Sequence, residues 1–254
     1  YKKVLNSAHF GVPQERHRVF IFASKSKKPF SFPNPSHGEN DGKKPFLTVG
    51  EAINDLAGLE NKIKNHIPLN HSETVIERYK LIPEGGKLPP PESLPKEIRR
   101  KNFGNTYKRL HREKVSLTMV PGNNAFPIHP TLNRSLTPRE AARIQSFPDN
   151  FVFTGDRRTQ CILVGNAVPP RLAKALGENI IKHLSGLFCD AISEKAEVEI
   201  ISSSNNSSTL EDYLNLEHNF KNNENFSFID LFSGAGGFTI GFSKAGWCPL
   251  LKAD

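Results

Sequence analysis

The chain has 254 residues, a mass of 28.3 kDa and a formal net charge of +8, with 37% hydrophobic and 24% charged residues. This length suits one full domain or one and a half, but not two large ones, and 19 prolines and 18 glycines without a period exclude collagen. No apolar run approaches the roughly 20 residues that span a bilayer, and no secretory signal is recognisable. Because Cys161, Cys189 and Cys248 are widely scattered, they exclude a disulfide framework and a cysteine metal cluster, and we expect a reducing cytosolic compartment.

The charge is divided unevenly along the chain. Residues 187–226 hold two Lys/Arg and eight Asp/Glu, a net of −6, and residues 227–254 are neutral, so residues 1–186 carry 30 basic and 16 acidic side chains, a net of +14. Such an excess predicts a polyanion partner whose binding weakens as salt rises. On charge alone, a nucleic-acid partner and an inert basic surface both stay open.

The first predicted elements are a strand and a short helix. Residues 19–23 (VFIFA) form an apolar run typical of a strand buried on both faces. Residues 48–51 (TVGE) have a capping-box pattern and precede apolar residues, which predicts a short helix there.

Regularity fades between about residues 81 and 130. Pro83, Gly85, Gly86 and the prolines at 89–91 break helices and central strands. The cations and aromatic residues concentrated here are Arg99, Arg100, Lys101, Phe103, Tyr107, Lys108, Arg109, Arg112 and Lys114. An irregular basic stretch of this kind predicts a surface that reads a nucleic-acid groove.

Two helices and a linker follow. Residues 137–140 (TPRE) combine a capping Thr, a Pro at the first helical position and a Glu that reaches back, and they predict a helix over residues 141–145. After a turn at residues 165–168, Pro169 and Pro170 begin another helix with an apolar stripe. The stripe consists of Leu172, Ala175, Leu176, Ile180 and Leu184. Residues 189–225 are acidic and poor in large apolar groups, as expected of a flexible linker.

The last 29 residues predict the beginning of a nucleotide-binding α/β unit. Residues 226–232 (FSFIDLF) resemble a strand, residues 233–237 (SGAGG) a glycine turn, and residues 238–244 a helix that ends at Gly246. Asp254 follows Gly236 by 18 residues, near the offset at which an acidic group binds a ribose. The missing third glycine favours a ligand without pyrophosphate, and a plain tight turn is the alternative.

Four segments together resemble the cytosine-5 DNA methyltransferase family. Residues 230–238 (DLFSGAGGF) resemble its first motif, residues 6–18 (NSAHFGVPQERHR) its eighth, residues 134–148 (RSLTPREAARIQSFP) its ninth, and residues 165–170 (GNAVPP) its tenth. The irregular basic stretch takes the place of the family's target-recognition region.

This resemblance implies an α/β fold: a partial Rossmann-like, S-adenosylmethionine-dependent methyltransferase core with a smaller irregular target-recognition domain. The expected organisation is a core strand segment at residues 1–35, a DNA-binding recognition domain at 36–133, the ninth- and tenth-motif helices at 134–188, a flexible acidic linker at 189–225, and the start of the cofactor-binding unit at 226–254.

The resemblance also implies an activity and partners. In the family, a thiolate adds to C6 of a flipped-out cytosine and C5 receives the methyl group of S-adenosylmethionine. We expect a cytoplasmic, prokaryotic-type enzyme fragment of a restriction-modification system that acts on a specific site in double-stranded DNA. A complementary methyltransferase segment or subunit and a cognate restriction endonuclease are the further partners it suggests. No membrane and no metal ion are expected.

The resemblance assigns three groups of site residues. Arg16 and Arg18 would donate to the cytosine and to neighbouring catalytic groups, and Gln14 would support that strand. The expected cofactor-binding residues are Phe232, Ser233, Gly234, Ala235, Gly236, Asp254 and Asn166. Tyr107, Arg109 and Thr118 are candidate DNA contacts. Thr137, Arg139, Glu140 and Arg143 are expected to be scaffold without a chemical role.

The chain departs from the family in motif order and in content. The eighth to tenth motifs precede the first, and the Pro-Cys segment with the nucleophile and the Glu-Asn-Val segment with the acid are both absent. No cysteine of this chain follows a proline, so we expect no methyl transfer by this segment alone. With its single Met119 and first residue Tyr1, the chain is expected to be a piece of a longer protein. Tandem fusion, circular permutation and a non-catalytic DNA-specificity subunit of a split enzyme all remain open.

Overall fold

The computed structural model describes residues 1–25, 27–39, 42–100, 107–120, 126–193, 227–230 and 236–252. In chain order its strands and helices are β1 (Lys2–Asn6), β2 (His17–Ile21), α1 (Val49–Ile53), α2 (Glu73–Lys80), α3 (Pro138–Ile144), α4 (Arg157–Asn166), α5 (Pro170–Ser193), β3 (Ser227–Asp230), α6 (Gly237–Lys244) and β4 (Cys248–Lys252). The described residues therefore form a mixed α/β structure, as predicted. None of the helices described is long and apolar enough to cross a membrane.

Strands β1 and β2 pair antiparallel, with Val4 opposite Val19 and Leu5 opposite Arg18. Leu5 is buried and Phe20 packs beside it, whereas Val4 and Val19 on the other face are exposed. The predicted strand at residues 19–23 is therefore present, but the prediction that both its faces are buried is wrong for this structure. Only one face has a layer packed against it among the described residues.

The two predicted capping boxes are confirmed. Thr48 begins α1 by accepting from the Glu51 amide, and Thr137 begins α3 in the same way with Glu140, while Pro138 occupies the first helical position. Each Glu side chain in turn accepts from its Thr backbone amide. Together these bonds satisfy donors that a helix start otherwise leaves unpaired.

Helix α5 begins at Pro170 as predicted, but it continues to Ser193. It thus extends past the predicted boundary at residue 188, and the remainder of the predicted linker, residues 194–225, lies outside the described residues. Two helices were not predicted: α2, and α4, which Asp156 caps by accepting from the Thr159 amide at 2.7 Å.

Three buried clusters organise the described residues. The first joins α1, α3 and α4 around Ile53, Ile144 and Val164. The second surrounds α5 at Leu172 and Leu176. A third, smaller cluster lies within the predicted recognition domain, residues 36–133, and consists of Tyr79, Ile82, Leu88, Leu94, Tyr107 and Ile128. The irregular basic stretch therefore has an apolar centre of its own, although 3₁₀ turns and isolated bridges replace long elements there.

The second cluster brings both ends of the chain onto α5. Leu5 and Phe10 come from the N-terminal hairpin, and Phe242 and Trp247 come from α6 and the turn after it. The Trp247 indole Nε1 donates to the Gly177 carbonyl at 3.0 Å. Gly241 lies so close to α5 that a Cβ there would meet the Pro170 carbonyl oxygen at 2.6 Å. Parallel strands β3 and β4 flank α6 in the chain and form a sheet separate from β1–β2.

Candidate functional site

The turn between β1 and β2 directs Arg16 into the protein. The Asn6 side-chain oxygen accepts from the backbone amides of Ala8 (3.2 Å) and Arg16 (3.0 Å). Gly11 has a φ of 72°, which glycine adopts without the strain of a side chain. The turn is thus closed by its own polar groups, and Arg16 enters the interior where β2 begins.

Arg16 connects the segment of the eighth motif with that of the tenth. Its side chain is 1% exposed, and Nη2 donates to the Gly165 carbonyl at 2.9 Å. Burial, followed by the charge of Arg18, lowers the pKa of Arg16 to about 10. Among the described residues, Arg16 Nε and Nη1 have no hydrogen-bond partner. The side-chain oxygen and nitrogen of Gln14 have none either. Buried donors left unpaired are costly, so this corner of the protein holds hydrogen-bonding capacity for a further group.

Arg18 differs from Arg16 in its surroundings. Its side chain is exposed, and Nη1 donates to the neighbouring His17 carbonyl at 2.7 Å. An exposed guanidinium retains donors for a carbonyl oxygen or a carboxylate. The structure therefore brings Gln14 and Arg16 inside and leaves Arg18 available at the surface.

Two of the predicted cofactor-binding residues, Asn166 and Gly236, are among the described residues, and they lie in the segments of the tenth and first motifs. Asn166 ends α4 with an exposed side chain, and two residues later the Val168 carbonyl oxygen contacts Gly237, where no Cβ would fit. Gly236 caps α6 with a φ of 70°. An exposed amide beside a glycine-lined helix start fits a polar nucleoside ligand. Phe232, Ser233, Gly234, Ala235 and Asp254 lie outside the described residues.

Two of the candidate DNA contacts are buried in this structure. Tyr107 belongs to the third apolar cluster, within the predicted recognition domain. Arg109 is also buried and donates to five acceptors: the carbonyls of Tyr79, Ile82, His129 and Leu132, and the Asn133 side chain. The donors of Arg109 are thus occupied by acceptors from several loops, which this side chain joins together.

Thr118, the third candidate, lies where the irregular basic stretch contacts the segment of the eighth motif. Its hydroxyl donates to the Glu15 carbonyl at 2.6 Å, and its side chain is half-buried. Nearby, the Ser116 amide donates to the Pro13 carbonyl, and the Glu15 amide donates to the Ser116 carbonyl. Thr118 therefore holds this loop beside the eighth motif, at Glu15, which lies between Gln14 and Arg16 in the chain.

The ninth motif is a buried polar network. Arg134 makes two 2.8 Å bonds to the Glu140 carboxylate and a third to Glu60. Burial alone would raise the pKa of Glu140, but the hydrogen bonds and charge of Arg134 outweigh it and hold that pKa below its usual value. Arg139 donates to the carbonyls of residues 64, 148 and 151 and to the Asn65 side chain. These contacts hold the segment of the ninth motif to neighbouring segments of the chain.

Sequence reasoning missed a group of cations on α5 and α6, of which Arg171 and Lys244 are exposed and Lys174 is half-buried. Arg171, Lys174 and Lys244 line two neighbouring depressions of about 510 and 530 Å³. The Arg171 Nη1 donates to the Gly11 carbonyl at 2.6 Å. The signal was Arg171 and Lys174 lying on the polar side of the predicted α5 stripe, but nothing in the sequence places Lys244 beside them.

Comparisons with known proteins agree with the segments described above. The family described as C-5 cytosine-specific DNA methylase matches residues 1–182. The chain is 42% identical over 187 residues to the type II methyltransferase M1.HphI of Haemophilus parahaemolyticus, covering 71% of this chain and 47% of that protein. It is 36% identical over 185 residues to the type II methyltransferase M.NgoFVII of Neisseria gonorrhoeae, covering 70% and 48%. The chain thus spans about half the length of these relatives.

Two further relatives bear on size and fold. The chain is 37% identical over 144 residues to the type II methyltransferase M.AquIB of Picosynechococcus sp. This match covers 52% of this chain and 95% of that protein. A crystal structure of a DNA modification methyltransferase encoded within an E. coli prophage superposes with a TM-score of 0.53 at 24% identity, covering 72% of this chain and 60% of the other. The second likeness supports the fold alone.

Proposed function

The chain belongs to the C-5 cytosine-specific DNA methylase family, and from this premise we propose that it is the target-recognition and cofactor-completing part of a type II DNA cytosine-5 methyltransferase. Together with a segment that supplies the nucleophile, it would place the methyl group of S-adenosylmethionine on C5 of a flipped cytosine at a specific DNA site. The enzyme would belong to a restriction-modification system, with the cognate endonuclease as a separate protein.

One observation carries this proposal: the hydrogen bond from Arg16 to the Gly165 carbonyl. It joins the eighth and tenth motifs, which lie 149 residues apart in the chain, within the region that matches the family. The two unpaired nitrogens of Arg16 and the amide of Gln14 are proposed to receive a polar group of the completed active site. Exposed Arg18 is proposed to donate to the cytosine.

For the cofactor, we propose one pocket that includes Asn166 and Gly236. The contact between Val168 and Gly237 supports this, because it brings the tenth motif to the beginning of α6. S-adenosylmethionine would supply the methyl group, and the glycine backbone would allow its close approach. Packing of α6 onto α5 favours the permuted arrangement over the tandem one, since separate pockets would not require this contact. Phe232, Ser233, Gly234, Ala235 and Asp254 stay predicted members of the pocket.

The DNA interface is proposed to lie on the basic part of the chain, with Thr118 near it. The net charge of +14 over residues 1–186 supports binding through phosphates, which position a protein on DNA without specifying sequence. Base recognition would then depend on exposed loops of the recognition domain and not on Tyr107 or Arg109.

The experiment separates DNA binding from methyl transfer. The purified chain is expected to bind a DNA duplex, followed by fluorescence anisotropy, and to lose at least about tenfold in affinity between roughly 50 and 200 mM salt. With labelled S-adenosylmethionine it should transfer no methyl groups, because no cysteine occupies the nucleophile's context. Absence of DNA binding, or methyl transfer by this chain alone, would contradict the proposal.

A second candidate is a DNA-specificity subunit that another polypeptide completes. The observation that favours it is the M.AquIB relative: 144 matched residues make up 95% of that protein, so a type II methyltransferase chain of this reduced extent exists. Methyl transfer that appears only when a separate nucleophile-bearing chain is added would support this arrangement.

A further inference from the structure

Gln145, the residue that follows α3, is completely buried, and its side chain reaches the end of α4. Its Nε2 donates to the Val164 carbonyl at 2.6 Å. The next carbonyl along α4, that of Gly165, accepts from Arg16 Nη2 at 2.9 Å. Two buried side chains, one from the segment of the ninth motif and one from that of the eighth, thus bind consecutive carbonyls. Because the last carbonyls of a helix lack the partners that interior ones have, donors from outside the helix determine how this end is held.

The hydrogen bonds of Gln145 contribute little to stability. Among the described residues its buried Oε1 has no hydrogen-bond partner, and a buried acceptor without a donor costs free energy. The Val164 carbonyl also does not depend on Gln145 alone, because it accepts from the Ala167 backbone amide at 3.2 Å. A methionine, which is apolar and of similar length, would therefore fill this position with little loss of stability. What Gln145 adds is a fixed position for the end of α4.

The end of α4 carries groups that the proposed function uses. Gly165 holds Arg16, whose Nε and Nη1 have no partner among the described residues. Asn166, a predicted cofactor-binding residue, is the last residue of the helix. A guanidinium has its donors in one rigid, planar fork. A shift of the Gly165 carbonyl would therefore redirect the two unpaired nitrogens of Arg16 as well as the one that is bound.

We propose that Gln145 is a positioning residue for Arg16. By holding the Val164 carbonyl it fixes the end of α4, and through the adjoining Gly165 carbonyl it sets the direction in which Arg16 presents its unpaired nitrogens. Gln145 acts through the backbone of α4 and needs no contact with DNA or cofactor. This inference rests on the proposed function and deepens it, because it adds a residue of the ninth-motif segment to the machinery that orients the site.

The test follows the Arg16 guanidinium by nuclear magnetic resonance in the whole chain with isotope-labelled arginine. Loss of a signal in Arg16→Lys identifies it. In the wild type, the bond to Gly165 should slow rotation about the Nε–Cζ bond, so that Nη1 and Nη2 give separate signals. Gln145→Met should speed this rotation by about tenfold, which corresponds to the loss of roughly one hydrogen bond's net strength. Its melting temperature should stay within a few degrees of the wild type.

Gln160→Met is the matched control. Gln160 also belongs to α4, but its Nε2 donates to the Gly155 carbonyl at 2.8 Å, before the helix begins. The same chemical change there should leave the rotation of Arg16 as in the wild type. Gln145→Asn is a second variant, whose amide is one methylene shorter and no longer reaches Val164. It should speed the rotation as Gln145→Met does, and it decides the question if the methionine variant does not fold.

The outcomes are distinct. Fast rotation of Arg16 already in the wild type, unchanged rotation in the Gln145 variants, or equal acceleration by Gln160→Met would overturn the positioning role. A large drop in melting temperature with unchanged rotation would make Gln145 a residue of the core only. DNA binding by the same proteins reports on the proposed function separately: intact DNA binding with unchanged rotation removes the positioning role alone, and faster rotation in a chain that does not bind DNA removes the proposed function alone.

Discussion

At the residue scale, Arg109 is a buried cation that joins several loops, and among the described residues its hydrogen bonds go to neutral oxygens. Burial lowers its pKa from the usual value, against the opposing effect of Glu84 and Tyr79, and its donors reach four carbonyls and one side-chain oxygen. We expect Arg109→Lys to lower the free energy of unfolding by about 3 kcal/mol or more, because a Lys has three donors and no fork and leaves buried carbonyls unpaired. Urea unfolding measures this.

The neighbouring Arg112 provides the control. It pairs with Glu84 at 2.9 Å with half of its side chain exposed, and exposed pairs contribute at most about 1 kcal/mol. Arg112→Lys should therefore have a small effect. If Arg109→Lys left stability unchanged and weakened DNA binding instead, Arg109 would be a DNA contact after all.

A second residue-scale prediction concerns His129. Burial, partly opposed by Glu140, lowers its pKa to about 4, and its Nε2 lies 3.7 Å from a Glu140 oxygen. The folded protein thus keeps His129 neutral, while the unfolded chain binds a proton near pH 6.5. Stability from this residue is complete above about pH 6.5 and is lost as the pH falls toward 4, by as much as about 3 kcal/mol.

The measurement is the free energy of unfolding in urea at pH 7.5 and pH 5. His129→Asn should reduce the loss of stability between these two pH values, because an amide side chain does not bind a proton in this range. The Asn oxygen can still accept from the backbone amides of Thr131 and Leu132, which donate to His129 in the wild type. Some loss should remain, since burial and Arg157 also lower the pKa of His71. An identical pH dependence in both proteins would show that His129 does not titrate as described.

At the element scale, the contact between α5 and α6 decides whether the two ends of the sequence belong together. A Cβ at Gly241 would meet the Pro170 oxygen at 2.6 Å and the Lys174 nitrogen at 2.8 Å, both backbone atoms that cannot move aside easily. We expect Gly241→Leu to separate the helices, lower the melting temperature and weaken S-adenosylmethionine binding at least tenfold, measured by calorimetry. Overpacking of this kind typically costs about 1–3 kcal/mol.

Ser243→Leu is the control on the same helix. Ser243 is exposed, so the added side chain meets no neighbour and melting and cofactor binding should stay as in the wild type. Unchanged cofactor binding by Gly241→Leu would mean that residues 165–184 and 236–252 serve different pockets, which is the tandem arrangement.

Elements with local start signals could be predicted from the sequence, and elements without them could not. Helices α1 and α3 begin at capping boxes whose bonds lie within four residues, so the sequence contains all of the information. Helix α4 has only the single cap at Asp156 and a polar first turn. These signals were too few to predict a helix in what was interpreted as a linking stretch. Whether a face of the hairpin is buried depends on which segments pack against it, and the strand's own sequence does not contain that information.

The candidate site could also be predicted only in part, because its contacts join residues far apart in the chain. The resemblance predicted Arg16 as a site residue, but not its hydrogen bond to the Gly165 carbonyl, which joins residues 149 positions apart. Arg109 looked like the other cations of a basic loop, since the carbonyls that bind it come from residues 79 to 132 and meet only in the folded domain. Burial of a charged group is a property of the whole fold and leaves little trace in the local sequence.

At the scale of the whole molecule, an acidic segment directly follows a basic one in the chain. Eight acids lie between residues 187 and 226: Asp190, Glu194, Glu197, Glu199, Glu211, Asp212, Glu217 and Glu224. Because the peptide chain joins them to residues 1–186, whose net charge is +14, their effective concentration at the basic surface is high. They should therefore compete with DNA phosphates for the same cations.

Replacing all eight acids by Asn or Gln changes the net charge of residues 187–226 from −6 to +2. We expect this variant to bind duplex DNA several-fold more tightly than the wild type at about 50 mM salt, and the difference to vanish near about 500 mM, where exposed charges are screened within a few ångströms. Anisotropy titrations at both salt concentrations measure this.

A variant with Ser202, Ser203 and Ser204 changed to Ala alters the same segment without altering its charge and should bind like the wild type. Equal affinity of the acid-free variant at low salt would show that the acidic segment does not reach the DNA-binding surface, and the basic residues would then be fully available to DNA in the unmodified chain.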